Sequence, residues 1–274
     1  MENVREVAVP TPFGDASDVF FVGEVDGERI AFLPRHGRYH TLSPYTVPYV
    51  ANAFAAKMLG VERAVLVSAC GGMKKDWKKG DFVLFDQLLD FTGDSPKSMF
   101  LKFIIAHVAL EGFRCAAQSF KVHRILDDAG LTVHDGGKLI TVEQFFAGGW
   151  ASSIFADRFG AEGIGMTTGR EVPPLLEAEI HVTVIGHLTD GNGSEEEGGV
   201  SAALVKEQGP VNMARLIDPL RDIVVELARL ETTCECATRL DGAMQTDRAC
   251  FVHRRQQELA PILARYLRDH SKQG

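Results

Sequence analysis

The sequence lacks any apolar run that approaches the roughly 20 residues needed to cross a bilayer. Its first ten residues, MENVREVAVP, lack the basic and apolar regions of a secretory signal, so we expect a cytoplasmic protein. Basic residues are not in excess either, because the formal net charge is −8. A chain of that charge does not attract phosphodiester backbones, and we expect neither nucleic acid nor a membrane as a partner.

Cysteine is scarce, with five residues scattered through the chain: Cys70, Cys115, Cys234, Cys236 and Cys250. An odd number at irregular spacing argues against a disulfide framework. The close pair in TCEC could begin a metal site. The sequence offers no second pair and no nearby histidine to complete a tetrahedral set, since His253 stands alone with Cys250. We therefore expect reduced surface thiols and no metal.

What the sequence does contain is an alternation of strand and helix patterns. Apolar runs predict strands in DVFFVGEV, ERIAFL, RAVLVSA, GDFVLFDQLLDF, KLITVE and EIHVTVIGHLTD. Helical spacing predicts helices in TVPYVANAFAAKMLG, SFKVHRILDDAGL and ASSIFADRFG, ending at Gly60, Gly130 and Gly160, and again over residues 200–230 and 251–267.

This alternation predicts an α/β fold in which helices flank a mixed, mostly parallel central sheet. A chain of 274 residues that is 45% hydrophobic suits one large globular domain. We assign residues 1–230 to this domain and residues 231–274 to a helical extension packed on it.

Polar segments lie at the carboxyl ends of three of the predicted strands: PRHGRYH, SACGG and TDGN. Ligands collect beyond the carboxyl ends of strands in open α/β sheets, so these segments predict a shared site. The two arginines and two histidines of PRHGRYH require an anionic partner, either a protein carboxylate or a ligand. The glycine- and glutamate-rich loop TDGNGSEEEGGVS is either a solvated surface loop or part of that site.

A series of motifs in a fixed order resembles the trimeric purine nucleoside phosphorylases, and most nearly the 5′-methylthioadenosine phosphorylase branch. The series runs from about Val7 to about Leu230 and comprises TPFGDASD, FLPRHGRYHTLSP, ANAFAAKMLGVERAVLVSACGG, GDFVLFDQLLDFT, GMTTGREVPPLLEAEI and HLTDGN. The resemblance implies phosphorolysis of a purine nucleoside, favouring a 6-amino base and a 5′-modified sugar, to free base and sugar 1-phosphate. It implies a homotrimer or a dimer of trimers, with inorganic phosphate as co-substrate and no cofactor.

By this resemblance five residues hold phosphate: Arg35, His36, Ser68, the backbone at Ala69, and Thr167. A guanidinium matches a pair of phosphate oxygens, and hydroxyl and N–H groups add donors. Each residue also has an ordinary structural interpretation. Arg35 could form a salt bridge, His36 could be a satisfied core histidine, and the hydroxyls of Ser68 and Thr167 could belong to turns.

The resemblance implies two catalytic residues, Asp190 and His36. At the base Asp190 is the acid, because a carboxyl group can share a proton with N7 of the departing purine. Asn192 replaces the second acid of the family. Its amide can accept from a 6-amino group or donate to a 6-oxo group, or it is simply a turn residue. Met166 would pack against the sugar or fill the core.

Further candidate positions have a weaker basis in the resemblance. His107 matches a histidine that family members lend across the trimer interface, and Val205 lies near the apolar pocket for the 5′ substituent. Phe146, or Phe145 beside it, is a candidate for the face that stacks on the base; the alternative is that both are core residues. His40 completes the motif or caps a turn.

The sequence departs from the family in two regions. The strand and glycine-rich loop that bind phosphate at the start of family members have no counterpart in the given sequence. Unless Met1 is a misplaced start, we expect fewer phosphate donors or another group in their place. In VEQFFAGGWASS the stacking aromatic falls at Ala147 and the arginine of the family at Phe146, and Gly165 replaces an asparagine.

Three interpretations of these departures stay open. Either the pocket is reshaped for a different nucleoside, or water replaces phosphate in a hydrolytic nucleosidase, or the chain is an inactive homologue that binds nucleoside or pairs with an active paralogue. The presence of Arg35, His36, Thr167 and Asp190 in separate segments favours the first.

Overall fold

The computed structural model describes residues 1–93, 96–100, 104–143, 149–191, 202–247 and 257–268. Within these ranges the strands form two sheets. The smaller sheet is antiparallel, in the order β1-β2-β3, and consists of β1 (Glu2–Val7), β2 (Phe20–Val25) and β3 (Glu28–Phe32). Strand β1 escapes prediction because its charged residues are exposed at a sheet edge and give no apolar run.

The larger sheet has seven strands in the order β6-β8-β9-β4-β10-β5-β7. They are β4 (Arg63–Gly72), β5 (Phe82–Phe85), β6 (Gln87–Asp90), β7 (Val133–Asp135), β8 (Lys138–Thr141), β9 (Gly163–Gly165) and β10 (His181–Asp190). Four of the six neighbouring pairs are parallel and two are antiparallel, which confirms the predicted mixed, mostly parallel sheet. All ten residues of β10 are buried, as expected of a central strand covered on both faces.

The segment GDFVLFDQLLDF, predicted as one strand, is divided into two at Asp86. Strand β5 pairs with β10 and β7, whereas β6 pairs with β8 at the far end of the sheet order. The backbone N–H groups of Asp86 and Gln87 both donate to the Gly137 carbonyl, at 3.2 and 3.3 Å. The chain thus passes directly from β5, next to one end of the sheet order, to β6 at the other end.

Helices cover both faces of the large sheet. One face packs against α1 (Tyr49–Met58), α4 (Thr168–Glu177) and α6 (Ala260–Arg268), and the other against α2 (Ala116–Asp128) and α5 (Ala202–Ala228). A further helix, α3 (Gly149–Phe159), contributes Phe155 to a smaller cluster with Ile140 of β8. These elements confirm a single α/β domain with flanking helices.

The predicted helices and helix ends agree with the described structure except at α4 and in the last helix. Of the helix predicted over 251–267, the structure has Ala260–Arg268, and residues 251–256 lie outside the described residues. Gly60, Gly130 and Gly160, predicted to end helices, all have positive φ angles of 62–82°. Helix α4 contains Pro173 and Pro174, which remove backbone donors and give no helical signal in the sequence. Burial of its apolar side chains against the sheet overrides that preference.

Parts of residues 231–274 pack on the same core as the rest. Leu240 and three α6 residues, Ile262, Leu263 and Tyr266, are buried in the cluster that contains Phe54 of α1. A short 3₁₀ helix, Glu235–Thr238, lies between α5 and α6. In the described part of the chain, no helix combines the length and the apolar character needed to span a bilayer.

We expect Gly186→Ala to destabilise the fold by about 1–3 kcal/mol, because a Cβ on this central residue of β10 would collide with the Phe85 ring. Gly209→Ala in α5 is the matched control. Apart from the adjoining backbone of the helix, no atom lies within 4 Å of a Cβ there, so we expect stabilisation of about 0.5–1 kcal/mol. Urea unfolding of the two variants measures both effects, and equal stabilities would contradict the close approach of Phe85.

Candidate active site

Three chain segments meet at one edge of the large sheet, as the sequence predicts. In the parallel pair of β4 and β10, Ser68 lies opposite Gly186, and Gly71 lies opposite Asp190. The turn after β3 joins them, because Nη1 of Arg35 donates to the Val67 carbonyl at 2.8 Å. The arginine of PRHGRYH therefore lies directly beside the strand end that carries SACGG.

Two hydroxyl groups lie close together beside this arginine. Ser68 Oγ and Thr167 Oγ1 are 3.4 Å apart, and both residues are buried. Thr167 precedes α4, and its carbonyl accepts from the backbone N–H groups of Arg170 and Glu171. The N-terminal end of a helix carries partial positive charge, so it adds to the field of the guanidinium. Ala69, next to Ser68, is exposed.

An acidic side chain faces Arg35 from α4. Arg35 Nε and Glu171 Oε2 are 3.8 Å apart, and neither atom has a hydrogen-bond partner within the described residues. Burial raises the pKa of the Glu171 carboxyl group, and the positive charge of Arg35 partly opposes that shift. Arg35 thus makes a loose ion pair, as its structural interpretation predicts, while Nη1 faces the strand end.

His36 is held by its backbone surroundings. Its Nδ1 lies 2.8 Å from the Leu42 carbonyl, which can only accept, so Nδ1 carries a proton. The ring stacks on His40 at 4.8 Å between centroids. Burial lowers the pKa of His36 below its usual value; the hydrogen bond to the Leu42 carbonyl opposes this shift, and the positive charge of Arg35 adds to it. The ring is therefore neutral at pH 7.

Asp190, the last residue of β10, is 4% exposed. The Thr189 hydroxyl donates to its Oδ1 at 2.8 Å and lies 3.3 Å from the Cys70 carbonyl. The other oxygen points toward Gly71, where an added Cβ would lie only 2.9 Å from Oδ2. A glycine is therefore required opposite this carboxyl group.

The remaining predicted residues are more dispersed. Met166 is half-buried next to Thr167, and Val205 is half-buried on α5. His107 is exposed, and its backbone N–H donates to the Ala243 carbonyl at 2.9 Å. The predictions for Asn192 and for Phe145, Phe146 and Ala147 lie outside the described residues.

Two buried side chains near Arg35 were not singled out from the sequence. Glu171 lies in GMTTGREV, four residues after Thr167, and a carboxylate in the first turn of a helix is a readable signal. His187 lies in HLTDGN, within a strand that reads as purely structural. Only the parallel register of β4 and β10, which pairs His187 with Ala69, brings it to this edge.

The pKa of His187 is lowered to about 4, first because it is buried and second because Arg35 is positively charged. Its Nδ1 lies 3.3 Å from Nδ2 of Asn212, which also donates to the Leu188 carbonyl at 2.9 Å. The amide nitrogen is the donor, so Nδ1 accepts and the neutral ring carries its proton on Nε2.

We expect this histidine to make the fold acid-sensitive. Its contribution to stability is complete above the unfolded pKa of about 6.5 and is lost as pH falls toward 4, at up to about 1.4 kcal/mol per pH unit. In His187→Gln that loss is absent. Urea unfolding of both proteins between pH 4 and 7 tests this, and parallel curves would contradict it.

The buried carboxyl group of Glu177 acts in the opposite direction. Burial raises its pKa to about 7, so its contribution to stability is present below pH 4.5 and is lost as pH rises to 7. Both proteins in the comparison contain Glu177. The difference between their curves therefore isolates His187.

Comparison with known proteins gives a consistent result over nearly the whole chain. The family model described as the Phosphorylase superfamily matches residues 1–224. The S-methyl-5′-thioadenosine phosphorylase of Geobacter sulfurreducens is 36% identical over 271 residues, which cover 97% of this chain and 94% of that protein. The corresponding protein of Thermofilum pendens is 34% identical, with 89% and 92% covered.

A solved structure agrees with these relatives. A methylthioadenosine phosphorylase from an antarctic soil metagenomic library matches with a TM-score of 0.89 and 30% sequence identity, covering 96% of this chain and 93% of that chain. The predicted resemblance is thereby confirmed. The chain belongs to the phosphorylase superfamily and is an enzyme of the purine nucleoside phosphorylase type, a pentosyltransferase.

Proposed function

We propose that the enzyme cleaves the N-glycosidic bond of 5′-methylthioadenosine with inorganic phosphate, giving adenine and 5-methylthioribose 1-phosphate. The substrate in the names of its relatives supports this choice. The observation that carries the proposal is the position of Arg35, whose Nη1 is fixed on the Val67 carbonyl beside the hydroxyl pair of Ser68 and Thr167. A guanidinium, two hydroxyls and a helix N-terminus suit a phosphate ion.

In this proposal His36 completes the phosphate site together with Arg35, Ser68, Thr167 and the backbone at Ala69. With a proton fixed on Nδ1, the neutral ring of His36 offers Nε2 as an acceptor. The P–OH group of monobasic phosphate can donate to that nitrogen, or the dianion can draw a proton onto it. The negative charge of bound phosphate favours the protonated ring, which opposes the effects of burial and of Arg35 on the pKa of His36.

The reaction follows from these charges. A phosphate oxygen forms a bond to C1′ as the bond from C1′ to the base breaks, and the bonding electron pair leaves with the purine. The sugar then passes through a state of oxocarbenium character, which the adjacent phosphate stabilises. Asp190 shares or delivers a proton to N7 of the departing base, while the Thr189 hydroxyl holds its Oδ1.

The 5′-methylthio group is apolar, and we assign its contact to Val205, with Met166 against the sugar. Removing one methylene-sized contact in an apolar pocket costs about 1–3 kcal/mol in discrimination. We therefore expect kcat/KM for 5′-methylthioadenosine to exceed that for adenosine by about tenfold or more. The 6-oxo counterpart, 5′-methylthioinosine, should react more slowly, because Asp190 favours an aminopurine.

A nucleoside panel with saturating phosphate tests this assignment, with free base measured by chromatography. Val205→Ser should lower the ratio of kcat/KM for 5′-methylthioadenosine to kcat/KM for adenosine. Val211→Ser, on the exposed face of the same helix, should leave this ratio unchanged. Preference for inosine, or equal reaction of adenosine and its methylthio analogue, would contradict the proposed substrate.

We also propose a homotrimer in the cytoplasm. The exposed imidazole of His107 is free to reach a neighbouring subunit, and trimeric mass in light scattering would support that arrangement. Four cysteines form no disulfide with one another, which suits a reducing compartment: Cys70, Cys115, Cys234 and Cys236. Fractionation of the native cells tests the location.

A further inference from the structure

A cluster of four metal-binding side chains lies away from the proposed active site. It consists of Cys115, His181, Cys234 and Cys236, and their ligand atoms all lie within 4.8 Å of one another. Cys115 immediately precedes α2, and His181 is the first residue of β10. Cys234 immediately precedes the short 3₁₀ helix, and Cys236 lies within it. This corrects the expectation that no histidine or further cysteine completes the TCEC pair. The expectation of surface thiols is also wrong for Cys115 and Cys236, which are buried.

The distances fit a tetrahedral ion. Zinc bonds of about 2.3 Å to sulfur and about 2.0 Å to nitrogen place tetrahedral ligand atoms about 3.5–3.8 Å apart. The Cys115 and Cys234 sulfurs are 3.7 Å apart, and Nδ1 of His181 lies 3.4 and 3.3 Å from them. The sulfurs are therefore at the spacing of co-ligands rather than of a bonded pair, for which about 2.05 Å is required.

The surroundings hold the ligands in place. The backbone N–H of Cys115 donates to the Val182 carbonyl and that of His181 to the Glu62 carbonyl, both at 2.9 Å. Three thiolates around a divalent ion leave one net negative charge. The Arg239 guanidinium lies beside it, with Nη2 at 4.0 Å from the Cys236 sulfur and donating to the Gly112 carbonyl. Such outer contacts fix ligand orientation and balance charge.

We propose that Cys115, His181, Cys234 and Cys236 bind one structural Zn²⁺ ion. Three soft thiolates and an imidazole in tetrahedral array select zinc over magnesium or calcium. Because protein atoms fill all four positions, the ion has no open site for substrate and its role is structural. His181 and Asp190 are the two ends of β10, about 30 Å apart at the usual strand rise, so the ion lies far from the proposed chemistry.

The ion would fasten the segment after α5 to the sheet. The segment that follows the two cysteines pairs with another loop, since Ala106 and Met244 form a bridge and the backbone N–H of Gln245 donates to the Ile105 carbonyl at 2.8 Å. His107 lies in that loop. Removing the ion should therefore loosen the loop that carries His107 and lower the melting temperature. This inference does not depend on the proposed substrate.

The test uses the full chain, purified under reducing conditions and then dialysed against Zn²⁺ or Co²⁺. We expect about one zinc per chain by elemental analysis, and a cobalt spectrum with intense thiolate charge-transfer bands. His181→Gln and Cys234→Ser should each lower bound zinc about tenfold or more, whereas Cys70→Ala, whose thiol lies outside the cluster, should keep it.

A second measurement covers the case in which a variant fails to fold. In the unaltered protein zinc should protect three thiols from an aromatic disulfide reagent, and a chelator should release them and lower the melting temperature. Zinc content equal in the unaltered protein and in folded His181→Gln would overturn the proposal. A disulfide among these cysteines in freshly isolated protein would overturn it as well.

Discussion

Arg35→Ala is expected to lower kcat/KM for phosphate by about 10²-fold or more. The guanidinium can supply two charge-assisted hydrogen bonds to phosphate, each contributing about 1.5–3 kcal/mol. Binding of the nucleoside should change little, because the predicted base and sugar contacts come from other segments. Initial rates at varied phosphate and fixed, saturating nucleoside measure the effect.

The geometry of Arg35 makes a second variant informative. Its Nη1 is committed to the Val67 carbonyl and its Nε faces Glu171, so the planar group is oriented before phosphate arrives. Arg35→Lys keeps the positive charge but loses the planar set of N–H donors, so we expect a loss of kcat/KM for phosphate smaller than that of Arg35→Ala. Arg35→Ala also leaves the buried carboxyl group of Glu171 without its opposite charge. Arg35→Ala combined with Glu171→Gln therefore separates lost phosphate binding from lost stability.

Arg38→Ala is the matched control, because Arg38 belongs to the same PRHGRYH motif. It pairs with Glu6 and Asp18 at the surface, at 3.0 and 2.8 Å, and not with the strand end. We expect phosphate kinetics to stay within about threefold of the unaltered enzyme, as exposed ion pairs contribute little. Equal losses for Arg35→Ala and Arg38→Ala would contradict a specific phosphate contact at Arg35.

Asp190→Asn is expected to lower kcat for 5′-methylthioadenosine by about 10²- to 10⁴-fold, the range usual for a general acid. The amide keeps the size of the side chain and can still meet the Thr189 hydroxyl, but it has no carboxyl proton to share with N7. The KM for phosphate should change by less than about threefold, because the phosphate contacts are on other residues.

A nucleoside whose base needs no proton sharpens this test. A purine nucleoside methylated at N7 is already cationic and leaves as a neutral base, so its phosphorolysis should be nearly insensitive to Asp190→Asn. Asp81→Asn is the control for a buried aspartate, since its carboxylate pairs with His134 at 2.8 Å and accepts from the Lys78 backbone N–H at 2.9 Å. Equal losses with the two nucleosides would mean that Asp190 does not act as the acid.

Local patterns in the sequence were sufficient for most of the fold. The buried run of β10 and the glycines that end α1, α2 and α3 are short-range signals, and the structure confirms them. The division at Asp86 was not predictable, because FVLF and QLLD are separated by a single residue with no glycine or proline to indicate a break. Their separation depends on hydrogen bonds to Gly137, some fifty residues away.

The same limit applies to the sites. Arg35, Ser68 and Asp190 lie at or near the carboxyl ends of predicted strands, so the topological rule for α/β sheets brings them to one edge. His187 was missed because it lies inside a strand whose pattern looks purely structural, and its functional neighbours come from β4. The cysteine and histidine cluster was missed because its members come from three remote segments, and only the tertiary fold brings Cys115 and His181 to the TCEC pair.

The most direct measurement of the central claim is base release from 5′-methylthioadenosine in phosphate-free buffer and after phosphate addition, with the sugar product identified by ³¹P NMR. The account predicts that release depends on phosphate, with one sugar 1-phosphate formed for each adenine. Release at the same rate without phosphate, with free methylthioribose as the product, would show a hydrolase and contradict the account.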